Sequence, residues 1–485
     1  MTTSRATVRS RAQGEIGRPV DLDISGAWLV DPVSGRSGPG EIVVRGGKIE
    51  SVTWLQGDAA AGIDDRGIVI APGFIDLHAH LREPGNTAAE TIATGLAAAA
   101  HGGFTTVCAM PNTTPPIDRK ELAAAAVESA RASGSPVALL LLAAVTAGRA
   151  GEQLSAMGGL TGIDEVVGFS DDGSPVQDAA LFRNALLYAG MLGKPIVDHP
   201  EDLRLTAGAE ANEGLVATVL GLAGWQAAAE AEAVARDIAI LADVLGDETN
   251  ARLHLTHLST VGSIAHVRAA KKVGLPVTCD VTPHHLGLTD EWIAGSRRWA
   301  WEALDGDGTA GDPWRDGALK AGPYDTSLRV NPPLRSAVDA RACLDGVLDG
   351  TVDAIATDHA PHTEVDKDVE FGAARPGIAG IETALGIALE LVEAGLLPLD
   401  RAIAALTTGP ARVLAGSRVN GERPGLQEGA AADLVVFDRS GRWTIGAESL
   451  LTKGFGHPLA GRSLPGEVLL TIAGGRLAYE AEPAD

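Results

Sequence analysis

The chain of 485 residues is poor in cysteine and in aromatic side chains. Its three cysteines, Cys108, Cys279 and Cys343, are widely spaced and form no CxxC pair, which argues against a disulfide framework and against a thiolate zinc site. We expect each to be a small buried apolar residue. Because aromatic residues make up only 4% of the chain, we expect a core built mostly from Ala, Val, Leu and Ile.

Long apolar runs and positive charge are scarce as well. No apolar run reaches 18 residues, and the N-terminus lacks the apolar segment of a signal peptide, so we expect a cytoplasmic protein without a membrane span. The net charge of −24 argues against non-specific binding to nucleic acid or to an anionic membrane. An anionic substrate would therefore need a local cationic site, made by a metal or by arginine.

The middle of the chain alternates short apolar runs with Ala-rich helical stretches. The eight strand candidates are 68–77, 104–110, 137–145, 165–169, 195–198, 252–256, 276–281 and 352–356. This rhythm predicts an α/β protein with a (β/α)₈ TIM-like barrel, whose active site lies at the carboxyl ends of its strands.

The two ends of the chain have a different texture, with short alternating runs separated by glycine-rich turns. We expect a disordered tail at 1–15, a composite β-sandwich from 16–70 and 425–485, and a metal-dependent catalytic barrel over 71–424. One stretch inside the barrel, 288–328, is rich in Trp, Gly and Asp and interrupts the rhythm. Such a long insertion is expected to be a lid, an oligomer contact or an ornament of this lineage.

The most informative motif is GFIDLHAHLREPG, at 73–85. Side chains alternate faces along a strand, so His78 and His80 point the same way at the end of the first strand candidate. Two imidazoles in this arrangement can bind one metal ion. The alternative is a pair of polar residues in a loop after a strand.

Potential ligands or proton carriers follow most of the other strand candidates. They are Asn112, Ser170–Asp172, Asp198–Glu201, His257, His284 and His285, and Asp358–His362. Imidazoles and carboxylates together suit zinc or a similar borderline metal. Since a protein-bound metal lowers the pKa of water toward about 7, and a nearby carboxylate can move the proton, hydrolysis of an amide or cyclic amide is the expected chemistry.

At this point the chain resembles the amidohydrolase superfamily and, within it, the class I dihydroorotases of bacteria. The resemblance covers about residues 20 to 480. The motifs that carry it are GFIDLHAHLREPG, GGFTTVCAMPNTTPPID, FSDDG, THLST, VTPHHL, RVNPPLR, ATDHAPH and RPGIAGIET. The DxHxH pattern marks only the superfamily, whereas HLREPG, MPNT, NPPLR and TDHAPH together are specific for dihydroorotases.

The resemblance implies one or two Zn²⁺ ions per subunit and a role for each ligand. His78, His80 and Asp358 would bind the first metal, with Asp358 also the general acid and base, and His199 and His257 would bind the second. Asp172 would bridge the two metals, with Asp171 as the adjacent alternative. The absence of lysine from 121 to 193 agrees with a bridge by aspartate rather than by a carboxylated lysine.

The same resemblance implies the residues that hold the substrate. Arg82 would pair with the substrate carboxylate, for which its planar fork is suited. The remaining substrate contacts would come from His80, Asn112, Asn331 and His362 and from the backbone of Pro376 and Gly377. Relatives often have Phe-Gly at the last two positions, so Pro376 removes a backbone N–H there.

The implied activity is that of a zinc-dependent dihydroorotase, which reversibly cyclises N-carbamoyl-L-aspartate to L-dihydroorotate in de novo pyrimidine synthesis. One alternative is a cyclic amidase of the allantoinase or hydantoinase type, and another is an inactive homologue that is a structural partner of aspartate transcarbamoylase. A homodimer is the expected assembly, and association of an active enzyme with aspartate transcarbamoylase is a further possibility.

Overall fold

A computed structural model describes residues 7–10, 15–245, 250–414 and 425–482. Two large β-sheets organise these residues, one built from both ends of the chain and one from its middle. In the described residues, no helix is both long and apolar enough to cross a membrane.

The sheet at the chain ends has eight strands and is mostly antiparallel. Its strands are Thr7–Ser10, Leu22–Asp31, Arg36–Arg45, Lys48–Trp54, Ile68–Pro72, Leu434–Thr444, Ser463–Ala473 and Arg476–Glu480. The two chain ends join where Leu434–Asp438 pairs antiparallel with Ile68–Pro72. A common β-structure from both chain ends, as the sequence predicts, is thereby confirmed.

The second sheet has eight strands that follow one another in chain order, each parallel to the next. They are Phe74–Ala79, Phe104–Ala109, Ala138–Ala143, Val166–Phe169, Ile196–Asp198, Leu253–Leu255, Val277–Val281 and Ala354–Ile355. The first and last strands meet where Ala79 bridges to His359 and the backbone N–H of His80 donates to the His359 carbonyl at 2.8 Å. The predicted barrel is confirmed.

Helices connect the barrel strands and pack on their outer side. The described α-helices are Ile92–His101, Lys120–Ala132, Met157–Leu160, Ala179–Met191, Leu215–Leu220, Ala228–Val244, Val261–Lys272, Pro283–Gly287, Ala337–Asp349, Glu364–Lys367, Ala384–Glu393, Leu399–Leu406 and Thr408–Val413. Side chains of Thr91, Asp178, Thr260 and Ser336 accept a backbone N–H in the first turn, which ends each strand-to-helix connection at a defined residue. Six of these helices lie within Ala-rich stretches that the sequence pattern predicts as helical, namely 87–101, 119–133, 178–192, 225–245, 260–273 and 336–349.

The prediction of a single barrel strand at 68–77 is wrong. Ile68–Pro72 belongs to the sheet at the chain ends, and the barrel strand begins at Phe74. Gly73 separates them at a point where a Cβ atom would lie 2.2 Å from the Thr105 side chain. A continuous apolar run therefore hides a change of sheet, because strands buried on both faces read alike in either sheet.

The insertion 288–328 lies between the seventh and eighth barrel strands and contains the 3₁₀ turns Asp290–Ala294, Ala300–Glu302 and Thr326–Leu328. Its Trp292 and Trp299 are buried, and Trp299 stacks on Trp301 at 5.3 Å. Arg462, from the loop before the strand Ser463–Ala473, lies 4.1 Å over the Trp299 ring. The insertion is thus packed against the rest of the chain, and it leads directly into the segment that carries Asn331.

The predicted N-terminal tail and domain boundary fall partly outside the described residues. Within 1–15, the strand Thr7–Ser10 pairs with Leu22–Ser25, which differs from the expected disorder there. The expected boundary between 424 and 425 lies at the edge of the undescribed segment 415–424.

Candidate metal centre and active site

Side chains from five barrel strand ends converge on one buried cluster. His78 and His80 come from the first strand, Asp172 follows the fourth, His199 the fifth, His257 the sixth and Asp358 the eighth. All six are buried. Two groups within the cluster have ligand atoms close enough to share an ion, namely His78, His80 and Asp358, and His78, Asp172 and His257.

Hydrogen bonds at Nδ1 set the ring orientations of His78 and His80. His78 Nδ1 lies 2.8 Å from Thr256 Oγ1, whose hydroxyl donates to Asp280, so His78 donates from Nδ1 and turns Nε2 into the cluster. His80 Nδ1 lies 2.8 Å from the amide oxygen of Asn112, which has the same consequence for its Nε2. The two Nε2 atoms are 3.2 Å apart.

Of the two adjacent aspartates, Asp172 faces the cluster and Asp171 does not. Asp172 Oδ1 lies 3.4 Å from His78 Nε2, 3.4 Å from His199 Nδ1 and 3.6 Å from His257 Nε2. Asp171 instead accepts the backbone N–H groups of Val145 and Thr146 and the Thr146 hydroxyl. The structure therefore places Asp172 between the two sets of imidazoles.

His199 and Asp358 complete the cluster from opposite sides. His199 Nε2 lies 2.8 Å from Glu201 Oε2, so its Nδ1 faces Asp172. Asp358 Oδ1 lies 3.0 Å from His80 Nε2 and 3.4 Å from His78 Nε2. Asp358, His257 and Arg82 have φ of 45°, 40° and 58°. Such left-handed backbone is uncommon for side chains other than glycine and is often concentrated at functional sites.

The charges of the cluster are strongly coupled. Burial lowers the pKa of His78 and of His199, but the neighbouring carboxylates outweigh burial and raise these pKa values to about 9 and about 10. Burial raises the pKa of Asp172, but His78, His199 and His257 hold it well below its usual value. A site of this kind favours a bound cation, whether a proton or a metal.

The donor set fits a metal ion. Hydrogen bonds on the far side of the rings turn His78 Nε2, His80 Nε2 and His199 Nδ1 toward carboxylate oxygens. The raised pKa values of His78 and His199 show that these carboxylates favour a cation at the ring nitrogens, a place that a metal ion can take from a proton. Among the described residues, Asp172 Oδ1 and His199 Nδ1 are buried without a hydrogen-bond partner. Imidazole and carboxylate ligands with such supporting contacts are typical of zinc and related metals.

A cationic side chain lies beside the cluster. The Arg82 guanidinium donates from Nε to the carbonyl of Pro361 at 3.0 Å, and one terminal nitrogen lies 3.3 Å from His362 Nε2. His362 Nε2 is also 2.9 Å from the Pro376 carbonyl oxygen, and burial together with Arg82 lowers the pKa of His362 to about 3. His362 is therefore neutral at physiological pH, and Arg82 provides the positive charge.

The remaining predicted substrate contacts surround the cluster but already have protein partners. Asn112 donates to Asp172 Oδ2 at 3.3 Å, and Asn331 donates to Glu201 Oε2 at 3.1 Å. The Gly377 N–H donates to the Arg329 carbonyl at 2.8 Å, and a Cβ atom at Gly377 would lie 2.4 Å from the Ala360 carbonyl oxygen. The backbone of this segment thus passes close to the loop that follows Asp358.

Three further carboxylates support the ligands. Asp76 accepts the backbone N–H groups of His78 and Thr357, Asp280 accepts that of His257, and Glu201 contacts His199. The alternation that pairs His78 with His80 also places Asp76 on their face, which is a usable signal in the sequence. Glu201 belongs to the predicted group Asp198–Glu201 after the fifth strand, whereas Asp280 carries no such signal because its partner His257 follows another strand.

The histidines not assigned to the cluster have contacts elsewhere. His359 Nε2 lies 3.3 Å from Glu90, and His285 Nδ1 lies 2.8 Å from Thr282 Oγ1. His284 is buried, and among the described residues its Nε2 has no hydrogen-bond partner. The three cysteines are buried, as expected.

Known proteins resemble the chain in sequence over nearly its whole length. A family model for dihydro-orotase-like proteins matches residues 67–262. A dihydroorotase from Anaeromyxobacter dehalogenans is 44% identical over 469 residues, which are 96% of this chain and 99% of the relative. A dihydroorotase from Pelotomaculum thermopropionicum is 42% identical over 463 residues, which are 95% of this chain and 98% of the relative.

Solved structures resemble the chain in fold. An L-hydantoinase (dihydropyrimidinase) from Arthrobacter aurescens has a TM-score of 0.73 and 21% identity, covering 94% of this chain and 95% of its own. A dihydropyrimidinase from Brevibacillus agri has a TM-score of 0.71 and 19% identity, covering 94% of each chain. At such identities the likeness establishes the shared architecture alone.

Proposed function

The chain belongs to the dihydroorotase family, and from this premise we propose that the buried cluster described above is its catalytic site. The reaction is the reversible cyclisation of N-carbamoyl-L-aspartate to L-dihydroorotate, a step of pyrimidine synthesis. The observation that carries the assignment is the convergence of six buried ligands beside the Arg82 guanidinium, because the reaction needs both a polarised amide and a bound carboxylate.

We propose Zn²⁺ as the native metal. His78, His80 and Asp358 would hold one ion, His199 and His257 a second, and Asp172 would lie between them. When bound, the metal supplies a Lewis acid for the amide carbonyl and lowers the pKa of a water molecule. The support for this proposal is the donor set, with its ring nitrogens facing carboxylate oxygens.

Asp358 is proposed to move the proton. Burial raises the pKa of Asp358, but His78 and His80 outweigh burial and lower it well below its usual value, so the carboxylate is ionised at neutral pH. In the hydrolytic direction it accepts the proton of the attacking water and returns it to the departing ring nitrogen. Ring closure uses the same group in reverse.

Arg82 is proposed to bind the substrate carboxylate, with Asn112, Asn331, His362 and the backbone of Pro376 and Gly377 around the ring. A guanidinium and a carboxylate can form two parallel hydrogen bonds, which fixes the orientation of the ring as well as its position. These contacts determine which carbonyl faces the ligands, and positioning of this kind accelerates the reaction.

The assembly and domain roles are also proposals. The catalytic unit is taken as 71–424, supported by the composite β-structure at 16–70 and 425–485, in a cytoplasmic homodimer. Association with aspartate transcarbamoylase is an additional proposal, and co-purification with that enzyme from the same organism would test it.

The function is tested by an absorbance assay of zinc-supplied protein on L-dihydroorotate, with allantoin and hydantoin in parallel and the metal content read on the same sample. We expect turnover of dihydroorotate alone, and its loss on chelation. Turnover of allantoin or hydantoin instead would favour the cyclic amidase. No turnover of any substrate with metal fully bound would favour the inactive homologue or a need for a partner subunit.

A further inference from the structure

Glu201 lies between a proposed metal ligand and a proposed substrate contact. Its Oε2 atom is 2.8 Å from His199 Nε2 and accepts the Asn331 side-chain amide at 3.1 Å. Its other oxygen, Oε1, accepts the Thr206 hydroxyl at 2.5 Å. Glu201 is buried, so both of its oxygens are occupied by protein groups and shielded from water.

The shared oxygen atom fixes two side chains at once. A carboxylate is acceptor-only, so His199 donates from Nε2 and presents Nδ1 to Asp172. The same oxygen holds the nitrogen of the Asn331 amide, which leaves the amide oxygen as the atom that can turn toward a ligand. A displacement of Glu201 therefore changes the hydrogen bonds of His199 and of Asn331 together.

The loop that carries Asn331 has no proposed metal ligand of its own. It follows the insertion 288–328, and Asn331 reaches the cluster through Glu201. Asn112, the other proposed amide contact, touches a ligand directly, because its oxygen is 2.8 Å from His80 Nδ1. Each of the two amides thus lies against a ligand imidazole, one directly and one through a carboxylate.

We propose that Glu201 is a positioning residue that couples the substrate contact Asn331 to the metal ligand His199. Its carboxylate keeps His199 in the tautomer that exposes Nδ1 and raises the basicity of that nitrogen, as carboxylates behind metal-bound imidazoles do. The inference rests on the proposed function for the identity of the substrate, whereas its effect on metal binding does not.

The first test is Glu201→Gln, with metal affinity measured by competition with a chromogenic chelator. Glutamine keeps the size of the side chain but lacks the negative charge, which favours an N–H on both His199 and Asn331. We expect Zn²⁺ affinity of the weaker site to fall about 10- to 100-fold and the visible spectrum of the Co²⁺-substituted protein to change. In turnover, KM for dihydroorotate rises more than kcat falls at saturating metal, because Asn331 is released as well.

The second test is a double-mutant cycle with Asn331→Ala, a half-buried loop position whose removal takes away no metal ligand. We expect it to weaken Zn²⁺ binding a few-fold when Glu201 is present and to add nothing when Glu201 is already Gln, since coupled residues are non-additive. If Glu201→Gln does not fold, the effect of Asn331→Ala on metal affinity alone still decides the proposal.

Glu382→Gln is the matched control, because Glu382 is an equally buried carboxylate 2.5 Å from His101, a histidine outside the cluster. It is expected to leave metal affinity unchanged. Unchanged affinity in Glu201→Gln, additive effects in the cycle, or an equal loss in Glu382→Gln would each overturn the coupling. Absence of dihydroorotate turnover in the wild type would overturn the proposed function instead, since the metal measurements use no substrate.

Discussion

Two groups of buried histidines and carboxylates lie side by side at the carboxyl end of the barrel, and they differ in how their polar atoms are paired. In the first, Asp280 accepts from the Thr256 hydroxyl and the His257 backbone N–H, and lies 2.8 Å from His254 Nε2. In the second, Asp172 Oδ1 is no closer than 3.4 Å to any of three imidazoles.

The difference separates a structural network from a binding site. A buried polar group that is fully hydrogen-bonded stabilises one conformation of the fold. A buried carboxylate that faces imidazoles without a hydrogen bond to any of them is costly to bury unless a proton or a metal ion joins them. Thr256 links the two groups, because its hydroxyl donates to Asp280 and accepts from His78. The hydrogen-bonded group around Asp280 therefore orients the ligands in the group around Asp172.

The largest expected effect comes from Asp358→Asn, in the buried cluster of proposed metal ligands. The amide keeps the shape of the carboxylate but cannot accept and return a proton, so kcat is expected to fall about 10²- to 10⁴-fold while much of the metal stays bound. Steady-state kinetics with metal analysis of the same sample checks this. Near-normal kcat would remove Asp358 from the proton transfer.

A change in the hydrogen-bonded group around Asp280 is expected to act mainly on the stability of the fold. Asp280→Asn takes the negative charge from His254 and from two N–H or O–H donors, which should lower the free energy of unfolding of the metal-free protein by about 3 kcal/mol. Denaturant unfolding measures it. Asp243→Asn, in an exposed ion pair with Arg183, is the control and should cost less than about 1 kcal/mol. Equal losses of unfolding free energy in Asp280→Asn and Asp243→Asn would mean that the buried group stabilises the fold no more than a surface ion pair does.

Substrate affinity should respond to Arg82→Met without loss of metal. Losing a charge-assisted contact of about 1.5–3 kcal/mol corresponds to a rise in KM of about 10- to 100-fold. Arg204→Met, at an arginine that is paired with Asp202 on the surface, serves as the charge-matched control. A KM that stays within two-fold of wild type would assign the substrate carboxylate to another residue.

The smallest effect concerns pH. Lys367 is buried and donates to the carbonyls of Thr326 and Arg329, and burial together with Arg329 lowers its pKa from 10.5 to about 7. Between about pH 7 and 10.5 the unfolded chain binds the proton more tightly than the folded chain, so the free energy of unfolding rises with pH across this interval. It falls as pH is lowered from 10.5 to 7 and is independent of this group below that range, where both states are protonated.

The measurement is the difference in unfolding free energy between wild type and Lys367→Met at pH 7 and pH 9. As pH rises from 7 to 9, the free energy of unfolding of the wild type should increase relative to that of the variant by up to about 1.4 kcal/mol per pH unit. A difference that does not change with pH would mean that Lys367 titrates alike in the folded and unfolded chains.

Much of this arrangement could be predicted from the order of residues. Strand ends in a parallel barrel meet on one face, so ligands that follow successive strands can be brought together without knowing any distance. His78, His80, Asp172, His199, His257 and Asp358 are in this class. The change of sheet at Gly73 could not be predicted, because the apolar run continues across it and the close approach of Thr105 at this point is known only from the fold.

What the sequence determined by itself is the barrel, its ligand-bearing strand ends and the family, because periodicity and motif spacing are local properties of the chain. Tertiary structure alone decided that Val145 and Thr146 hold Asp171 away from the imidazoles, and that Glu201 joins His199 to Asn331. These choices depend on which donors approach each carboxylate from distant segments. A side chain's role in a buried site is set by its hydrogen-bond partners, and those partners are known only when the chain has folded.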